Sequence, residues 1–124
     1  MRTVFVQPGK KPVLKEIGSR LADMQEAVGG YIQAVYPFED EVAVVCNEEG
    51  KIMGLPLNRA LRDEDGGVYD ILSGDFFVCG LSEEGFDSIP EELAEKYLGV
   101  FGTPERFLRI NGKIAVFSGR EVTA

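Results

Sequence analysis

Few side chains in this sequence are suited to chemistry, and those few are amides, carboxylates and a central arginine. The 124 residues include no histidine, so proton transfer near neutral pH would need carboxylate, lysine or tyrosine side chains with shifted pKa values. No serine occupies a Gly-x-Ser-x-Gly elbow, and no glycine run matches a phosphate-binding loop or a dinucleotide-binding fingerprint. We therefore predict that the protein is not an enzyme and carries no cofactor.

Asn47 and the adjacent Asn58 and Arg59 are the polar residues best suited to binding. Amide and guanidinium groups form directional hydrogen bonds to a ligand or to a peptide backbone. The same groups also cap turns at the ends of strands, and this structural use is the alternative for all three residues.

An acidic run, Asp63-Glu64-Asp65, is followed by Asp70 and Asp75 and superficially resembles a calcium-binding loop. An EF-hand needs alternating oxygen ligands, a glycine and a distal glutamate at fixed positions, and this spacing does not match. The run predicts a solvated turn and no metal site.

Cys46 and Cys79 each follow two apolar residues, which predicts buried and unreactive thiols. With neither a Cys-x-x-Cys pair nor a histidine, the sequence offers no zinc ligand set and no disulfide framework. These cysteines are typical of a protein from a reducing compartment.

The chain is acidic, with 21 Asp and Glu residues against 13 Lys and Arg residues and a formal net charge of -8. Binding to a phosphate backbone depends on clustered basic residues, so direct nucleic-acid binding is not expected. No apolar run approaches the roughly 20 residues that cross a bilayer, and the first seven residues are too short and strand-like for a secretory signal. We expect a cytoplasmic protein that contacts no membrane.

The first half of the chain alternates between strand and helix patterns. Thr3–Gln7 and Val13–Ile17 predict an opening hairpin around Pro8 and Gly9. A helix follows, with Leu21, Met24 and Val28 at helical spacing on one buried face and the Gly29-Gly30 pair as its stop.

Two further strands are predicted after that helix, at residues 31–38 and 42–46. The second is continuously apolar, which is typical of a central strand covered on both faces. Residues 54–67 contain Pro56, two charged clusters and the pair Gly66-Gly67, so we predict an exposed surface loop with a helical turn at residues 58–62.

The second half begins with a predicted strand at residues 71–80, with a bulge at Gly74. Ser88 and Glu91 have the spacing of a capping box, which predicts a helix that runs to about Leu98 and ends at Gly99.

A C-terminal β-hairpin is predicted at residues 107–117, because Asn111-Gly112 accepts the positive φ angles of a type I′ turn. The turn places Leu108, Ile110, Lys113 and Ala115 on one face and Phe107, Arg109, Ile114 and Val116 on the other. Both faces are mostly apolar, so we expect the hairpin to be covered or to pair with a second copy as a homo-oligomer.

Together these patterns predict a single α+β domain over residues 1–124. We expect a mainly antiparallel sheet of about five to seven strands, with two short helices packed on one side and the hairpin at the C-terminal end.

Three segments resemble a bacterial and phage family known as domain of unknown function 3846: Gln25–Ile32, Val45–Leu61 and Val68–Val78. The likeness covers roughly residues 1–100 and leaves out the terminal hairpin. It implies a protein from a phage, plasmid or conjugative element, and it supplies no catalytic residues. The matching positions that are polar or conformationally special are Asn47, Gly50, Asn58, Arg59, Tyr69 and Asp70.

The leading functional hypothesis is a non-enzymatic interaction or accessory protein of a mobile element, which binds a protein partner through the exposed loop at residues 54–67 or through the hairpin. The first alternative is an acidic protein that mimics DNA and occupies the basic cleft of a restriction or defence protein. The second alternative is a small ligand-binding protein or carboxylate-based enzyme that uses Glu48, Glu49, Asp65 or Asp70 beside Arg59.

Overall fold

The computed structural model describes residues 1–118, which form short strands and two helices. The strands are β1 (Arg2–Val6), β2 (Val13–Glu16), β3 (Ile32–Val35), β4 (Val42–Asn47), β5 (Leu57–Arg62), β6 (Val68–Ser73), β7 (Phe76–Ser82), β8 (Gly85–Asp87), β9 (Glu105–Ile110) and β10 (Lys113–Ser118), and the helices are α1 (Leu21–Val28) and α2 (Glu91–Val100). Within residues 1–118 no helix is long and apolar enough to span a membrane.

Among these residues, six strands form one antiparallel sheet in the order β2-β1-β7-β4-β3, with β8 paired to β7. The predicted α+β class, the opening hairpin and the size of the sheet are confirmed. Every residue of β4 is buried, and this strand lies between β7 and β3, as its continuous apolar run predicts.

The two helices cover opposite faces of this sheet. Successive side chains of a strand point to opposite faces, so Val4 and Val6 line one face while Phe5 lines the other. Helix α2 packs with Val4 and Val6, and α1 packs with Phe5 through Met24 and its neighbours. The prediction that both helices lie on one side is wrong, because strands that are apolar on both faces need a cover on each.

Helix α1 ends as predicted, since Gly29 adopts a left-handed φ of 78° and its N–H donates to the Gln25 carbonyl. Leu21, however, is exposed rather than part of the buried face. The predicted capping box of α2 is wrong, because Pro90 is the N-cap residue and Ser88 Oγ instead accepts a hydrogen bond from the N–H of Arg2 at 2.9 Å. The helix also continues through Gly99 to Val100.

Residues 57–62 form the strand β5 rather than an exposed loop or a helical turn. Asn58, Arg59, Ala60 and Leu61 are all buried, and β5 pairs with β6 in a separate two-stranded sheet that covers the α2 side of the core. The prediction of one strand over residues 71–80 is also wrong. Gly74 has a φ of 80° and separates β6 from β7, which belong to different sheets.

The C-terminal hairpin is confirmed with its predicted register. Asn111 and Gly112 have φ angles of 51° and 77°, and the turn pairs Lys113 with Ile110. Glu105 fixes the hairpin beside β5, because its Oε1 accepts from the N–H of Ala60 at 3.0 Å. Its Oε2 accepts from Arg62 at 2.9 Å. The base of the hairpin is therefore held on the rest of the fold.

Candidate functional site

Arg59 is only 1% exposed and lies inside the protein. Its Nε and Nη2 donate to the Phe101 carbonyl at 3.2 and 3.0 Å, and Nη2 also donates to the Lys10 carbonyl at 2.6 Å. Nη1 donates to the carbonyl and to the Oδ1 of Asn58. Burial lowers the pKa of Arg59 from its ordinary value, and the carboxylate of Glu105 opposes that shift.

Asn58 completes this internal network. Its Nδ2 donates to the carbonyls of Val6 at 3.0 Å and Gly74 at 2.8 Å, and its Oδ1 accepts from Arg59. Together the two side chains join β5 to β1, to the turn between β1 and β2 at Lys10, and to the end of α2. Alanine at either position would remove structural hydrogen bonds, so the expectation that they form part of an exposed docking loop is wrong.

Asn47 also makes internal hydrogen bonds. Its Nδ2 donates to the Val28 carbonyl at 3.1 Å, and its Oδ1 accepts from the N–H of Glu49 at 2.8 Å. These bonds join the end of α1 to the turn after β4, which is the structural alternative stated for this residue. Asp65 lies in the exposed β5–β6 turn, where its N–H donates to Asp63 Oδ1 at 3.0 Å. No group of three or more metal-ligating side chains occurs within residues 1–118.

Tyr69 and Asp70, two of the predicted residues, line one concave surface. This surface, the Tyr69 groove, has a volume of about 590 Å³ and lies between the β5–β6 hairpin, the turn before β5 and the β9–β10 hairpin. Its apolar lining residues are Leu55, Leu57, Val68, Ile71 and Ile114. Its polar lining residues are Lys51, Tyr69, Asp70, Ser73 and Arg109.

A smaller cleft of about 240 Å³ adjoins the groove and shares Lys51, Asp70 and Ser73 with it. Asn47 and Glu48 also line this cleft. Lys51 and Asp70 form an ion pair between the two concavities. The structure thus brings together Asn47, Tyr69 and Asp70, whereas Asn58, Arg59 and Asp65 lie elsewhere.

Sequence reasoning missed Lys51, Ser73 and Arg109 as groove residues. Arg109 was placed correctly on the same hairpin face as Ile114, and this face turns toward the body of the protein. Which of the two hairpin faces would turn inward had no signal in the sequence, because both are mostly apolar. Ser73 sits at the end of β6, where the sequence predicted the interior of a longer strand.

The opposite side of the hairpin, the outer hairpin face, presents apolar side chains to solvent. Its members, by strand alternation and register, are Arg106, Leu108, Ile110, Lys113, Ala115 and Phe117. Leu108 is 54% exposed and Ile110 is 50% exposed. Within residues 1–118, neither Arg106 nor Lys113 forms an ion pair. The face is therefore an apolar strip with a cation on each strand.

Comparison with known proteins supplies the family but no activity. The sequence profile of a family described as Domain of unknown function (DUF3846) matches residues 1–102. The chain belongs to this family. The β9–β10 hairpin follows the matched region, so both the outer hairpin face and one wall of the Tyr69 groove lie outside it. No curated protein and no solved structure matches the chain.

Proposed function

We propose that this protein is a non-enzymatic interaction module whose outer hairpin face binds an acidic surface on a partner protein. The observation that carries this proposal is the exposure of Leu108 and Ile110 between Arg106 and Lys113. Interfaces commonly have an apolar centre and a polar rim, with arginine enriched at the contact. Complete burial of a large aliphatic side chain contributes about 1.5–3 kcal/mol. Leu108 and Ile110 are half-exposed, so a partner that covers them would gain part of this free energy on binding.

Charge supports an acidic partner. The hairpin has Arg106, Arg109 and Lys113 against a single acid, Glu105, although the chain as a whole is strongly acidic. Complementary charges accelerate encounter and exclude wrong partners, whereas like charges placed face to face are unfavourable. Two outer hairpin faces stacked on each other would bring four cations together. A separate acidic partner therefore fits this face better than a second copy does.

The cellular setting that we propose is the cytoplasm of a bacterium that carries a phage, plasmid or conjugative element. The proposal of a mobile element rests on membership of the DUF3846 family, because the resemblance to that family implies such an origin. The support for a reducing compartment is that Cys46 and Cys79 are both buried free thiols. The absence of histidine and of nucleophile or phosphate-binding motifs supports a role that does not involve catalysis.

The test is affinity capture from the bacterial host with three versions of the tagged full-length protein. The first is the unaltered chain, and the second is Leu108→Thr/Ile110→Thr, which keeps strand-forming residues on the outer hairpin face. The matched control is Val13→Thr/Leu14→Thr on β2, where the replaced side chains are 51% and 52% exposed.

We expect a protein that the unaltered chain and the β2 control retain and the hairpin variant loses. Retention should also fall with Arg106→Gln/Lys113→Gln and with increasing salt, because both weaken attraction to an acidic surface. Equal retention by all variants would refute the outer hairpin face as the docking surface. Concentration-dependent dimerisation that the hairpin variant abolishes would instead establish self-association.

A further inference from the structure

We infer that the Tyr69 groove is a binding site for a small amphipathic anion, a molecule with an apolar body and one carboxylate, sulfonate or phosphate group. This site is on the opposite side of the hairpin from the proposed docking face, and it does not depend on the proposed function. The groove's volume of about 590 Å³ lies within the range of about 300–1,000 Å³ that is typical of small-molecule sites.

The walls of the groove match the apolar part of such a ligand. Leu55 and Leu57 lie on one side, and Ile114 of the β9–β10 hairpin lies on the other. Tyr69 is exposed at the same groove and offers an aromatic surface for contact. Mostly apolar walls with a few polar groups are the usual composition of a ligand site.

Arg109 supplies the charge that selects an anion. The groove contains two cations, Lys51 and Arg109, and one acid, Asp70. Lys51 is paired with Asp70, whereas Arg109 forms no ion pair within the described residues 1–118. The groove therefore has one uncompensated guanidinium group, which can form two parallel hydrogen bonds to a carboxylate, sulfonate or phosphate.

Ser73 provides a second and independent observation that points to a ligand. It is 5% exposed, and its Oγ has no hydrogen-bond partner among residues 1–118. Buried polar groups are nearly always hydrogen-bonded, so an exception at a concave surface needs an explanation. Gly50 packs directly against this residue, since a Cβ at Gly50 would lie 2.8 Å from the Ser73 carbonyl oxygen. A ligand oxygen in the groove or the adjoining cleft would accept the hydroxyl hydrogen bond.

The test measures binding of the fluorescent probe 8-anilinonaphthalene-1-sulfonate, which has an aromatic body and one sulfonate, to the full-length protein. N-phenyl-1-naphthylamine has a similar body without the charge and serves as the neutral comparison. Arg109→Gln removes the groove cation, and Arg106→Gln is the matched control on the other face of the same strand.

We expect saturable binding of the sulfonate probe at one site. Arg109→Gln should weaken it about tenfold, as the loss of a charge-assisted pair does, while Arg106→Gln should change it by less than about twofold. Binding of the neutral probe should not respond to Arg109→Gln. Ser73→Ala should weaken sulfonate binding without lowering Tm, because an unpartnered hydroxyl adds nothing to the fold.

Several results would overturn the site. These are no saturable binding, an equal loss with Arg106→Gln, or a Tm loss in Ser73→Ala with unchanged binding. Loss of the probe from Leu108→Thr/Ile110→Thr alone would place it on the outer hairpin face and remove the groove. Capture of a protein partner is tested with Leu108→Thr/Ile110→Thr, whereas the groove is tested with Arg109→Gln and Ser73→Ala. The proposed function and the groove site can therefore fail independently.

Discussion

Arg59 donates two hydrogen bonds to the main-chain carbonyl of Phe101, at the C-terminal end of α2. The C-terminal end of a helix carries partial negative charge on its unpaired carbonyl groups, so a buried guanidinium group is favourable there. The same side chain reaches the Lys10 carbonyl, and Asn58 beside it reaches Val6 and Gly74. This network attaches β5 to the main sheet and to α2.

The first prediction concerns the free energy of unfolding of Arg59→Met. The substitution leaves the buried Phe101 carbonyl and the buried Asn58 Oδ1 without their donors, and each unsatisfied group costs about 1–3 kcal/mol. We expect a total loss of about 3 kcal/mol or more in urea denaturation. Arg106→Gln, an exposed change, should stay within about 0.5 kcal/mol. Similar losses for the two variants would show that the buried network contributes little.

Two glycines give a paired prediction of opposite sign. A Cβ at Gly50 would lie 2.8 Å from the Ser73 carbonyl oxygen, so Gly50→Ala should destabilise the protein by about 1–3 kcal/mol. A Cβ at Gly99, within α2, meets no atom within 4 Å, so Gly99→Ala should stabilise by about 0.5–1 kcal/mol through helix propensity. Thermal unfolding measures both changes. A higher Tm for Gly50→Ala than for the unaltered protein would contradict the close approach to Ser73.

The cysteines give a prediction about reactivity. Burial raises the pKa of Cys79 to about 11 and also raises the pKa of Cys46, and the thiolate is the reactive form. At pH 8 the native protein should therefore react slowly with 5,5′-dithiobis(2-nitrobenzoate), whereas the protein in guanidinium chloride should rapidly release 2 equivalents, one for each cysteine. Rapid titration of either thiol in the native protein would be inconsistent with the burial of that cysteine.

The loss of thermal stability at low pH should depend in part on Asp40. Hydrogen bonds from Lys96 and Tyr97, both at 2.6 Å, lower the pKa of Asp40 below its ordinary value. A carboxylate with a lowered folded-state pKa stabilises the fold above its unfolded pKa of about 3.9, and this contribution is lost as the pH falls toward the folded-state value. Asp40→Asn should therefore have a lower Tm at pH 6, and the difference from the unaltered protein should shrink below about pH 4. A difference that is the same at pH 6 and pH 3 would rule out this linkage.

Local patterns were enough to predict the C-terminal hairpin, because Asn111-Gly112 specifies both the turn and the register. They were not enough for β5, since Asn58 and Arg59 are residue types that are mostly exposed. Their burial depends on carbonyl groups of Val6, Lys10 and other residues far away in the chain. A strand that carries such residues has no signature in its own sequence.

The positions of the helices were only partly accessible from the sequence. The continuous apolar run of β4 indicated a strand buried on both faces, and a cover on each face follows from that observation. The Tyr69 groove was less accessible, because it forms only when Glu105 fixes the hairpin beside Ala60. Tyr69 and Asp70 could be identified from the sequence. The wall of the groove that contains Arg109 depends on how the β9–β10 hairpin packs against the rest of the fold.

The docking of an acidic partner on the outer hairpin face is tested most directly by hydrogen–deuterium exchange of the full-length protein, with and without the captured partner. Exchange at β9 and β10 should slow on binding, while β2, with its similarly exposed Val13 and Leu14, should not change. Slower exchange confined to other elements, with the hairpin unchanged, would contradict the proposed docking surface.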